Sequence, residues 1–88
     1  MIEKFVDDDK GFQNWLTQHA RGFVLNCYRK PSARYLILHN TDCGSLTRYN
    51  NYTTRDYIKV CSDSRKEVES WARAEGGGDL KPCGECHP

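Results

Sequence analysis

The sequence predicts a small α+β domain in the order α-β-β-β-α, closed by a C-terminal Cys-x-x-Cys knuckle. Three observations predict it. Apolar residues recur at helical spacing near both ends, three stretches between them alternate as strands do, and 88 residues leave room for one core only. No linker divides the chain, so residues 1–88 read as a single domain.

The first helix is expected over residues 9–20. Asp8 or Asp9 caps it, acids cluster in its first turn, and Gly22 stops it. Phe12, Trp15, Leu16 and His19 fall on one face, which makes His19 a half-buried core histidine or a charge partner at the helix end. A β-hairpin follows over residues 22–40. Phe23, Leu25 and Cys27 point one way and Val24, Asn26 and Tyr28 the other, while Pro31 and Ser32 supply the turn. In the returning strand Tyr35, Ile37 and His39 share a face, leaving His39 at the strand's exit; Cys27 reads as a small buried hydrophobe. The stretch "TDCGSLTRYNNYTTRD" is polar and turn-rich, with room for one short helical turn. "YIKVCS" then forms a third strand, with Ile58 and Val60 facing opposite to Tyr57, Lys59 and Cys61. Ser64 and Glu67 form a capping box for a second helix, whose apolar stripe is Val68, Trp71 and Ala72 and whose end is Gly76-Gly77-Gly78.

The cysteines carry the chemistry. Five is an odd count, which argues against a closed disulfide framework. Cys83-x-x-Cys86 supplies two metal ligands from one turn, and His39-x-x-x-Cys43 supplies a second pair at the exit of a strand. Four sulfur and nitrogen donors in two local pairs suit a tetrahedral structural zinc. A redox Cys-x-x-Cys would open a helix after a strand, whereas here only two residues follow. Cys61 competes with His39 for the fourth position and would give an all-cysteine site, while His87 lies too close to the chain end to hold a ligand position well.

Residues 35–88 resemble the metal-binding module of Ada-type DNA-repair proteins. The likeness rests on "HNTDC", a strand and a capped helix, then "LKPCGECHP"; the loop before the helix is longer here. The resemblance implies a zinc-stapled fold that lies on a nucleic-acid backbone. In those modules the first ligand is a cysteine that accepts a methyl group, and here that position is His39, so methyl transfer is not expected.

Charge is uneven along the chain. Residues 21–59 hold seven bases, Arg21, Arg29, Lys30, Arg34, Arg48, Arg55 and Lys59, against Asp42 and Asp56, whereas acids outnumber bases by two in each flanking segment. The same middle segment holds all five tyrosines. Cations interleaved with aromatics suit a surface that tracks phosphates and stacks bases. The expected contacts are Arg29, Lys30 and Arg34 at the hairpin tip, and Arg48, Arg55 and Lys59 around the zinc loop, with Tyr49 or Tyr52 for stacking. DNA is the expected partner. The competing reading is a protein-interaction adaptor with a purely structural zinc, working through the acidic first twenty residues and the acidic second helix.

An enzyme is not expected: there is no carboxylate–histidine pair at catalytic spacing, no serine nucleophile motif, and the "GGG" lacks the Lys-Ser/Thr of a phosphate loop. No apolar run is long enough to span a bilayer or to form a signal-peptide core. A cytoplasmic setting with reduced thiols and no membrane partner is the corresponding expectation.

Overall fold

The computed structural model describes residues 1–46, 48 and 52–88. Two helices sandwich a five-stranded sheet. In chain order the elements are β1 (Glu3–Phe5), α1 (Asp9–Gln18), β2 (Phe23–Tyr28), β3 (Leu36–Asn40), a 3-10 turn (Gly44–Leu46), β4 (Tyr57–Ser62), α2 (Arg65–Glu75) and β5 (Lys81–Pro82). The sheet order is β1-β4-β2-β3-β5, antiparallel throughout except for the β3–β5 pair. The two expected helices and three expected strands are present. Beyond them the chain adds β1 and β5, which flank the three central strands.

Both helix starts follow from short polar side chains. Asp8 accepts a hydrogen bond from the Gly11 amide at 2.9 Å and caps α1. Ser64 caps α2 by accepting from the Glu67 amide, but the return half of the capping box runs through a neighbour. The Ser64 amide donates to the Ser62 hydroxyl, which in turn donates to the Glu67 carboxylate. Helix α1 stops at His19, whose ring stacks on Trp15 at 4.2 Å and pairs with Asp63 at 2.9 Å. The exit of α2 needs glycine: Gly77 sits at φ 77°, in the left-handed region that disfavours side chains.

The pleat sorts the strands onto two cores. Leu25, Cys27, Leu36, Leu38, Ile58 and Val60 face α2, where Val68 and Ala72 cover them. Val24 and Cys61 face the other way, beneath Phe12 and Trp15 of α1, and share that layer with Leu46, Cys43 and Cys83. Cys27 is fully buried, and burial pushes its thiol up to about 11, so it is an inert packing residue. Gly22 lets α1 close on the sheet, because a Cβ there would lie 2.6 Å from the Trp15 ring. Among the described residues no helix is long and apolar enough to cross a membrane.

Candidate metal centre

Strand register brings the two ligand pairs together. His39 stands opposite Val24, on the α1 side of the sheet, and the chain turns at once so that Cys43 comes back over the strand end. From the far end of the sequence, β5 runs parallel to β3 with Pro82 beside Leu38. The Cys83 amide continues that ladder, donating to the Leu38 carbonyl at 2.8 Å, which sets Cys83 next to His39. Two residues of strand pairing thus do what forty residues of sequence separation conceal.

His39, Cys43, Cys83 and Cys86 form the cluster, with their donor atoms all within 4.8 Å of one another. The Cys43 and Cys83 sulfurs are 3.9 Å apart. A tetrahedron with metal–sulfur bonds of about 2.3 Å has sulfurs about 3.8 Å apart, so the cluster is close enough to hold a metal ion. His39, Cys43 and Cys83 are buried and Cys86 is half-buried. The knuckle also has the amide geometry that stabilises thiolates. The Glu85 amide donates to Cys83 Sγ at 3.3 Å, and the Asn40 amide donates to Cys86 Sγ at 3.3 Å.

Protonation favours coordination at His39 and Cys83, whereas burial pushes the Cys86 thiol up to about 12 in the absence of an ion. Burial, helped by the Lys59 charge, pulls His39 down to about 4, so its imidazole is neutral at neutral pH, as a ligand must be. Burial raises the Cys83 thiol, but the Cys86 and Glu85 amides with Ser45 and Cys43 outweigh it and bring it down to about 7. Ser45, not foreseen from the sequence, holds three donors at once: its hydroxyl lies 3.2 Å from His39 Nδ1, 3.0 Å from Cys43 Sγ and 3.7 Å from Cys83 Sγ. Such outer-shell groups orient metal ligands. Arg48 closes the outside of the site with two hydrogen bonds to Glu85, at 2.8 and 3.0 Å.

Cys61 lies outside the cluster. It shares the sheet face with His39, but Val24 of β2 stands between them. Two strand spacings amount to about 10 Å, too far for a shared ion. Burial instead pushes the Cys61 thiol strongly upward. His87 is exposed, and its amide caps the knuckle by donating to the Cys83 carbonyl.

The basic and aromatic residues divide into two groups. Arg48, Tyr52, Arg55 and Lys59 line one cleft beside His39 and Ser45, together with Asn26, Tyr35 and Tyr57. Tyr28, Tyr35 and Tyr57 form a ring cluster with centroids 5.3 to 5.6 Å apart. That cluster went unforeseen because it needs β2, β3 and β4 in register. Lys30 and Arg34 are exposed at the hairpin turn. Arg29 is turned to a structural task, bidentate on Asp7 at 2.8 and 3.0 Å and donating to the Arg55 and Thr53 carbonyls. Tyr49 lies outside the described residues. Compared with known proteins, the chain has no match among family models, curated proteins or solved structures.

Proposed function

We propose that this chain is a zinc-stapled module that binds nucleic acid, DNA in the first instance, and carries out no chemistry at its metal. Three thiolates and one imidazole are the donor set of structural zinc, and four donors leave no open position for a water or a substrate. His39 stands where the Ada-type modules have their methyl-accepting cysteine, which supports a binding role without methyl transfer. One observation carries the nucleic-acid reading. Arg48, Tyr52, Arg55 and Lys59, all from the stretch 48–59, line one cleft beside the metal loop, whose far wall is Asn26, Tyr35 and His39 from β2 and the β3 segment. Cations there suit phosphates and the tyrosine faces suit bases.

The test is binding of labelled single- and double-stranded DNA and RNA to the metal-loaded protein across a salt series. Affinity should fall linearly on a log–log plot, by roughly 0.7 units of slope per phosphate contact on a single strand. Lys30→Ala combined with Arg55→Ala should weaken binding to every sequence alike and flatten the slope by about 1.4 units. Absence of binding at about 50 mM salt, where electrostatic association is strong, would leave the adaptor reading in its place.

A further inference from the structure

Beside the metal cluster the cleft has a volume of about 620 Å³, within the size range of small-molecule sites. Its buried end is strand: Asn26 of β2 and Lys59 of β4 stand opposite each other in register. Its more exposed end carries Tyr57, Arg55 and Asp56, and Tyr35 lines it between.

Lys59 is the group that asks for an explanation. It is only 5% exposed, and its ammonium donates to Asn26 Oδ1 at 2.8 Å and to the Tyr52 carbonyl at 2.7 Å. Among the described residues no carboxylate forms an ion pair with it. The Phe12 ring, 5.9 Å away, offers only its face. The opposing charge nearby is Asp9, which attracts the ammonium but does not touch it. Burying a cation without a direct ion pair is costly, and an ammonium has three donors, of which one remains for an incoming group. Asn26 Nδ2 reaches the Tyr35 hydroxyl only at 3.5 Å, a long contact that leaves both open to a ligand.

An inorganic anion would use Lys59 and leave the tyrosine faces idle, and an apolar ligand would do the reverse. A nucleotide uses both. Resting on the nucleic-acid reading above, we propose that the cleft takes one unpaired nucleotide of a single strand. The base enters first, its carbonyl oxygen accepting from Lys59 and its face lying against Tyr57, as extruded bases are held elsewhere. The phosphate stays at the mouth with Arg55. Asn26 and the Tyr35 phenol read the base edge, and Asp56 accepts from an amino group or disfavours a bare anion.

The experiment is a titration of the zinc-loaded protein with uridine monophosphate, followed by amide NMR. Saturable shifts should centre on Asn26, Tyr35, Tyr57 and Lys59. Lys59→Met should weaken binding on the order of tenfold, the scale of a lost charge-assisted hydrogen bond. Tyr57→Ala, at a partly exposed position outside both buried cores, should weaken it several-fold. Ribose phosphate, which lacks the base, should leave the Asn26, Tyr35 and Lys59 amides unmoved. Equal shifts with ribose phosphate, or binding untouched by Tyr57→Ala, would overturn the proposal. If uridine monophosphate fails to shift the cleft while single-stranded oligonucleotides still bind, the cleft assignment is wrong and the nucleic-acid reading stands. If neither binds, both fail.

Discussion

Withdrawing the metal at neutral pH should unfold this chain. The α1-side core is built around the ligands, since Cys43 and Cys83 pack in one cluster with Phe12, Trp15 and Leu46. Without an ion, that layer holds three thiols and an imidazole that have lost their common partner. Structural zinc supplies apparent free energies of about 10–16 kcal/mol at neutral pH, against a total stability of about 5–15 kcal/mol for an ordinary domain. Chelation should therefore collapse the near-UV signal of Trp15 and abolish the cooperative thermal transition. Cys43→Ser, Cys83→Ser, Cys86→Ser and His39→Ala should each lose most of the bound metal. Cys27→Ser and Cys61→Ser should keep it while melting lower, because each puts a hydroxyl into an apolar site at a cost of about 1–3 kcal/mol. A metal-free protein that melts as high and as sharply as the loaded one would show that the ion is not a staple.

The second large effect is expected at Phe12. Its ring is fully buried and touches Phe5 at 6.0 Å and Tyr52 at 5.7 Å, joining α1, β1 and the loop before β4. Phe12→Ala should cost about 3–5 kcal/mol by cavity formation and lost burial, read as a lower urea midpoint with unchanged slope. Because folding and metal binding are coupled, its apparent zinc affinity should drop in step. By the same linkage a substitution on the α2 side, such as Val68→Ala, should lower the apparent affinity by as much at matched stability. A cost within about 0.5 kcal/mol, the range of surface changes, would mean that α1 does not seal this face.

Much of this was readable from local pattern. Helical spacing at Phe12, Trp15 and Leu16, the cap at Ser64 and the alternation from Phe23 to Tyr28 all survive into the fold, because each is decided within a few residues. Both ligand pairs were readable for the same reason: each spans one turn. What escaped depends on strand order. β1 and β5 are three and two residues long, too short for any periodicity, and form only because β4 and β3 offer edges. The choice between His39 and Cys61 turns on which strand separates them, and only the β4-β2-β3 order supplies Val24 as the spacer.

The cations show the same limit. Lys59 reads as a phosphate contact beside the zinc loop, yet it is only 5% exposed and its face is the one that α1 covers. Arg29 reads as a hairpin-tip phosphate contact, yet Asp7, twenty-two residues upstream, claims its guanidinium. Charge counting located the basic segment but could not tell a free cation from a committed one.

X-ray absorption at the zinc edge of the loaded protein tests the central claim most directly. With His39, Cys43, Cys83 and Cys86 as ligands, the first shell should fit three sulfurs at about 2.3 Å and one nitrogen at about 2.0–2.1 Å, with imidazole scattering beyond it. Cys61→Ser should leave that spectrum unchanged. A shell of four sulfurs, or one that changes when Cys61 is replaced, would contradict the account.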